Sequence, residues 1–228
     1  MSRWLPLRWW LDRVVAAVLQ IALAPLLALV GAAVRLSDGG PALVRVPRIG
    51  KDNRPFAMWK VRTMVAAAPG GLAGGPVITS GDDDRITGVG RWLRRFRFDE
   101  LPQLLNVALG DMAMIGPRPE TPHLVDAEDP SWRRVLTAKP GIAGPTQLIV
   151  HDWEADVLAG PSAEAAYRYV VLPVKLAIDE WYVEQASPWI DFLVVTSLAR
   201  RMLTGKPSRA MSRRVRRDVP AAGEVPIR

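Results

Sequence analysis

Cysteine is absent from the 228 residues, which excludes disulfides, thiolate metal sites and a cysteine nucleophile. Histidine is nearly absent. His123 and His151 stand far apart in the chain, so a multi-histidine zinc site is excluded and a serine triad is left with few bases. No Walker-type glycine loop, kinase signature or internal repeat occurs. After the first long apolar run, no second stretch reaches membrane-spanning length. Lysine is scarce too: the 30 basic residues are almost all Arg, the residue whose planar fork suits phosphate.

What remains is a folding composition, 49% apolar and 23% charged. The length suits one sizeable core and is too short for a polytopic membrane domain plus a separate soluble enzyme. Thirty basic against 23 acidic residues give a net charge of +7 and a pI near 10.3. An anionic partner fits that excess, whether nucleic acid, phospholipid headgroup or phosphorylated substrate. Compositional bias in an Ala-rich chain is the plainer explanation.

From Val14 to Val34, VVAAVLQIALAPLLALVGAAV holds no charge and one strongly polar side chain, Gln20. As a helix it measures roughly 31 Å, about the hydrocarbon thickness of a bilayer. A cleaved signal peptide would have a shorter apolar region ending in a small-residue site. Trp4, Trp9 and Trp10 precede the run as interfacial anchors. Arg3, Arg8 and Arg13 lie before it and Arg35, Arg45, Arg48 and Lys51 after it, so both flanks are basic. Pro25 lacks the donor for the carbonyl of Ile21 and crowds it, which predicts a kink near the middle. A re-entrant segment with both ends in the cytoplasm fits these features; an ordinary kinked spanning helix is the alternative.

Beyond the run, residues 36–60 read as two short strands joined by the turn KDNRP. Residues 66–81 form a Gly/Pro-rich loop expected to be mobile. Residues 88–98, GVGRWLRRFRF, predict an amphipathic helix with Arg and aromatic residues interleaved, suited to a membrane surface or a nucleic acid. A second helix is expected over 99–109, with more over 162–184 and 187–203. From Gly205 the chain carries seven basic and two acidic residues, and a disordered basic tail attracted to anionic lipid is expected.

Asp99 and Glu100 stand together at the start of FDELPQLLNVAL. Adjacent carboxylates repel and need a cation or a helix N-terminus to hold them; the modest reading is that Asp99 only caps a helix. Lys60 and Arg62 in WKVRT, Arg85 after the run Asp82–Asp84, and Arg118 between two prolines in GPRPE supply cations. A carboxylate pair, a divalent metal and several phosphate-binding cations are the parts of phosphoryl transfer.

As a set, these residues resemble the bacterial sugar transferase family, the monotopic phosphoglycosyl transferases. The resemblance is carried by IGKDNRPFAMWKVRTM (49–64), DDDRITGVGRWLRRFRFDELPQLLNVALGDMAMIGPRPE (82–120) and KPGIAGPTQL (139–148), with a weaker echo in AIDEWYVEQASPWIDFLVVTSL (177–198). It implies an α+β fold: an N-terminal re-entrant membrane helix over 1–35, and a mainly helical cytosolic catalytic domain over 36–204. That domain would hold a short β-hairpin and interfacial amphipathic helices, with the tail over 205–228. It implies a reaction in which a sugar 1-phosphate passes from a nucleotide diphosphate sugar to a polyprenyl phosphate. The products would be a polyprenyl-diphosphate sugar and a nucleoside monophosphate.

By the same resemblance Asp99 is the nucleophile and Glu100 its partner, both are candidate ligands of Mg²⁺, and Lys60, Arg85 and Arg118 hold phosphates. Asp179 matches an acidic position in the weaker block. The setting implied is the cytosolic face of the bacterial inner membrane, with membrane lipid as a partner; nucleic acid is not an expected partner, and a homodimer is compatible. Departures are Ala24 before Pro25 where Ser is common, GPTQL and HDWEAD in the third block, and Asp84 at a frequent proline position. A tethered nucleic-acid or lipid binder would account for the charge but not for DELPQLLNV or GPRPE, and a scaffold without turnover is the second rival.

Overall fold

The structure, a computed structural model, describes residues 2–65, 83–159, 162–205 and 209–225. The Gly/Pro-rich loop expected over 66–81 lies outside the described residues. Helix α1, Trp4–Asp38, is a single 35-residue element that ends where Gly39 adopts the left-handed conformation at φ 75° and its N–H caps Arg35. Pro25, where a kink is expected, lies inside it, and the helix is continuous through that position. At roughly 52 Å it is longer than a bilayer core is thick, and it is apolar enough to cross one.

One stripe of α1 is covered. Leu5, Arg8, Asp12, Ala16, Val30 and Val34 are buried, with Leu23 and Leu26 partly so. Their spacing of three or four residues, or multiples of it, is that of one helix face. Leu7, Trp10, Val18, Ile21, Leu29 and Leu36 are exposed on the rest of the surface.

The predicted hairpin is present. Strand β1, Leu43–Ile49, pairs antiparallel with β2, Pro55–Val61, from Leu43↔Val61 to Ile49↔Pro55. Asp52 and Asn53 turn the chain at φ 57° and 58°, a conformation that their short polar side chains tolerate. Helix α2, Gly88–Arg95, is capped by Thr87, whose hydroxyl accepts from the Gly90 N–H at 2.9 Å. The helix expected over 99–109 is shorter: α3 is Gln103–Leu109, with Pro102 at its N-cap, and residues 98–100 form a separate 3-10 turn. Asp99 therefore does not cap α3.

The sequence offered no sign of β3, Ala113–Ile115, which pairs in parallel with β4, Gly141–Ala143. Helix α4, Pro130–Val135, lies between them, and α5, Pro145–Leu158, follows β4. Residues 163–185 form α6, Ala163–Ala166, a π-turn over Tyr167–Val171, and α7, Leu172–Gln185. Helix α8, Pro188–Thr204, starts at a Ser187 cap. The largest core gathers around α7: Ile178, Tyr182 and Val183 meet Leu148 and Val150 of α5, Ile190 and Val194 of α8, Ile115 of β3 and Leu5 of α1.

The expected disordered tail is corrected here. Arg209–Asp218 forms α9. Met211 and Val215, then Val219, Ala222 and Val225, are buried in the same core. Apolar residues at intervals of three or four make one stripe that the many arginines obscure in the average composition.

Candidate active site

Strand β2 delivers Lys60, and α3 is fastened to the same strand through the buried Asn106. Its Oδ1 accepts from the Trp59 N–H at 2.9 Å, and its Nδ2 donates to the Ala57 carbonyl at 2.9 Å. The segment before α3 is thereby held against Lys60. After α2 the chain reverses at Arg97, whose φ of 56° is uncommon for a residue with a Cβ. That reversal folds Phe98–Glu100 into the 3-10 turn and turns Asp99 and Glu100 inward, each only 8% exposed. Such strained backbone beside buried charge is a recurrent feature of functional sites.

Three cations converge on Glu100. Lys60 Nζ lies 3.2 Å from Oε1, Arg118 3.5 Å from the same oxygen, and Arg97 3.3 Å from Oε2. Burial pushes the Glu100 carboxyl up, but Lys60, Arg118 and Arg97 outweigh burial and hold it well below the usual carboxylate range. Asp99 forms no ion pair among the described residues. Burial, with the neighbouring Glu100 charge, raises its carboxyl against the pull of Lys60 and Arg94.

Arg118 arrives from a different direction. It follows β3 through Gly116 and Pro117, and β3 is clasped to β4 at closest approach: a Cβ on Gly141 would lie 2.0 Å from the Gly116 nitrogen. This explains in steric terms why the GPRPE and KPGIAG segments both carry glycine there. The Ile49 N–H donates to the Glu120 carbonyl at 3.0 Å, tying the end of β1 to the same loop.

Lys60, Glu100, Asp99 and Arg118 are therefore brought together in one cluster. Arg85 is not: its guanidinium forks onto Asp83 at 2.5–3.0 Å, holding that carboxyl down at about 2. Arg94, bonded to Thr63 Oγ1 at 2.9 Å, acts on Asp99 instead. Pro25 lies within α1, outside this cluster. Trp92 and Phe96, half exposed, pack with Phe98 at centroid distances of 5.3–6.1 Å immediately before the dyad.

Asp179 stands behind the Arg118 loop. It is buried, accepts from the Thr146 hydroxyl, and is pushed up to about 7 by burial against the pull of Thr146, Lys175 and the Arg118 backbone N–H. One turn earlier on α7, the buried Lys175 meets Glu120 at 3.1 Å, Glu154 at 3.4 Å and the Tyr167 hydroxyl at 2.6 Å. Burial disfavours its charge, but Glu120, Tyr167 and Glu154 together raise the ammonium above its usual value. The sequence motifs single out neither Lys175, Glu120, Glu154 nor Tyr167, and they place Arg94 and Arg97 only in the amphipathic stretch at 88–98. The signals were Glu120 inside GPRPE and the four-residue step from Lys175 to Asp179.

No group of three or more metal-ligating side chains occurs among the described residues. A carboxylate pair suits an ion such as Mg²⁺ that takes one or two carboxylates and completes its shell with water and substrate phosphates.

The UDP-N-acetylgalactosamine-undecaprenyl-phosphate N-acetylgalactosaminephosphotransferase of Aeromonas hydrophila is 35% identical over 84% of this chain and 43% of its own length. The UDP-glucose:undecaprenyl-phosphate glucose-1-phosphate transferase of Caulobacter vibrioides is 37% identical over 85% of this chain and 68% of its own. The Escherichia coli K12 protein of the same name is 32% identical over 81% and 37%. The chain thus spans less than half of two of these relatives and about two thirds of the third. The family model described as "Bacterial sugar transferase" matches residues 3–205, and the chain belongs to the bacterial sugar transferase family.

Proposed function

We propose that the chain transfers a sugar 1-phosphate from a UDP-sugar to undecaprenyl phosphate or a similar polyprenyl phosphate, through a phosphosugar carried on Asp99. The observation that supports this most is the unequal environment of the dyad. Glu100 is neutralised by three cations, whereas Asp99 keeps a desolvated carboxylate beside them with no ion pair among the described residues. A desolvated carboxylate is a better nucleophile, and an acyl phosphate splits one difficult displacement into two.

In the first step an Asp99 oxygen attacks the phosphorus that bears the sugar. The bond to the bridging oxygen breaks, and nucleoside monophosphate leaves. In the second, a phosphate oxygen of the polyprenyl phosphate attacks that same phosphorus, and Asp99 leaves as carboxylate. Lys60, Arg97 and Arg118 are placed to hold the charge of the transferring group, with Arg85 a further phosphate contact once freed from Asp83. Asp99 and Glu100, together with the donor diphosphate, would hold Mg²⁺, which supplies neutralisation of phosphate charge.

The acceptor is a lipid, so the chain must meet a membrane. Leu5 of α1 packs against Ile115 and Tyr182, while Val30 and Val34 pack against Val61 and Leu93. A helix covered at both ends by one folded body keeps both ends on one side of the bilayer. This supports a one-sided anchor, with the exposed face of α1 and the Trp92–Phe96 cluster toward lipid at the cytosolic face of the inner membrane; re-entry would require this unbroken helix to open at Pro25. The product would feed assembly of a cell-surface glycan.

The test is release of nucleoside monophosphate from a panel of nucleotide diphosphate sugars, with and without polyprenyl phosphate and with and without Mg²⁺. The names of relatives carry three sugars, N-acetylgalactosamine, glucose and galactose, and all three belong in the panel. Absence of release from every donor would overturn the reading.

A further inference from the structure

We infer that Arg8 and Asp12 are positioning residues for Arg118: they fasten the first turns of α1 to the edge of β3 opposite β4, so that the apolar helix and the phosphate-holding loop form one mechanical unit. The inference rests on the proposed reaction for its activity readout only.

Both side chains are buried, although a basic residue next to an apolar run ordinarily serves as a solvated flank. The Arg8 guanidinium uses all three nitrogens. Its Nε donates to Asp12 at 3.2 Å, one terminal nitrogen to the Tyr182 hydroxyl at 2.9 Å and to Asp191, and the other to the Ile115 carbonyl. Asp12 accepts the Met114 N–H at 3.1 Å. Asp191 is held in turn by the Tyr182 hydroxyl at 2.7 Å and the Trp4 indole N–H at 2.6 Å.

The two backbone groups so engaged belong to β3, whose other edge pairs with β4. A three-residue strand with one partner strand among the described residues is weak. Here two side chains of α1 take the place of a second strand, one accepting from the backbone N–H and the other donating to the carbonyl. Arg118 follows Ile115 after only Gly116 and Pro117, and proline restricts the slack between them. A displacement of β3 is therefore carried to the guanidinium that lies 3.5 Å from Glu100.

Arg8→Lys keeps the charge but cannot span Asp12, Tyr182, Asp191 and the Ile115 carbonyl together. Asp12→Asn keeps an acceptor for the Met114 N–H and loses the ion pair. The full-length protein in detergent or vesicles is measured in two ways. In donor turnover with UDP-glucose or UDP-N-acetylgalactosamine, Arg8→Lys should lower kcat about tenfold in the otherwise wild-type chain. In an Arg118→Ala background the same change should cost less than about twofold, because residues acting through one another are not additive. In hydrogen–deuterium exchange, the backbone over 113–118 should exchange faster while Val150 in α5 keeps its protection. Should Arg8→Lys lose protection throughout, Asp12→Asn decides the same two readouts. Equal fold losses in both backgrounds, or unchanged exchange over 113–118, would overturn the coupling. A wild-type chain inert toward every donor would overturn the reaction instead, and the exchange measurement would still decide the coupling.

Discussion

Asp99 and Glu100 are adjacent in the chain yet occupy opposite electrostatic environments. Glu100 has Lys60, Arg97 and Arg118 within 3.5 Å and titrates low, whereas Asp99 has no ion pair among the described residues and titrates high. Two carboxylates whose surroundings push them apart in this way are equipped for different roles: one anchors the cations, and the other is left to react.

If Asp99 is the nucleophile, donor alone should produce a stoichiometric burst of nucleoside monophosphate and a phosphosugar adduct on the protein. Asp99→Asn should abolish both while the chain stays folded. Intact-mass spectrometry after donor treatment is the measurement, and an active Asp99→Asn chain would remove the assignment.

Arg118→Ala should lower turnover by about two orders of magnitude, since a charge-assisted contact in a sheltered site is worth roughly 2–3 kcal/mol. Arg118→Lys should recover only part of that loss, because the ammonium lacks the planar fork. A wild-type rate for Arg118→Ala would make the residue structural.

Asp179 supplies a pH prediction. Its carboxyl titrates at about 7 in the folded chain, against ~3.9 when unfolded. Because the folded value is raised, its contribution to stability is fully present below the unfolded value and is lost as pH rises to about 7. The wild type should therefore lose thermal stability between about pH 4 and 7 relative to Asp179→Asn, which does not titrate. Parallel pH profiles of Tm for the two proteins would contradict this.

The membrane arrangement predicts that both ends of α1 face the cytosol. Arg3 and Ala210 are exposed and the chain has no native cysteine, so Arg3→Cys and Ala210→Cys can be labelled without background. Both should resist an impermeant thiol reagent applied to intact cells and react after permeabilisation. Labelling of Arg3→Cys alone from outside would mean that α1 spans.

Val215 is fully buried in α9, so Val215→Asp places an unpaired charge in the main core. Tm should fall by roughly 5–10 °C. Arg213→Ala, on the exposed face of the same helix, should change it little. Equal, small effects would show that the segment beyond residue 205 contributes nothing to the core.

Local chemistry was legible from the residues alone. The apolar run, the hairpin with its Asp-Asn turn, the amphipathic stretch at 88–98 and the family motifs all rest on periodicity and short-range spacing, which a linear chain displays directly. The motifs also put Lys60, Asp99, Glu100 and Arg118 on one list. Nothing in the spacing separated Asp99 from Glu100, however, because neighbours in sequence share every local signal.

The resemblance names Asp99 as the nucleophile, but the physical difference between the two carboxylates required tertiary structure. Which cations reach Glu100 depends on a left-handed Arg97, on Asn106 joining α3 to β2, and on β3 carrying Arg118 in from a remote segment. The same holds for Arg85, drawn to Asp83 rather than to the dyad, and for the tail, whose buried stripe has meaning only once α7 and α8 exist to cover it. It holds for Arg8 as well. By sequence it is one more positive charge at the edge of an apolar run; by structure it is a buried bridge to β3. The energy of a charge is set by what lies within a few ångströms of it, and for these residues those neighbours come from distant parts of the chain.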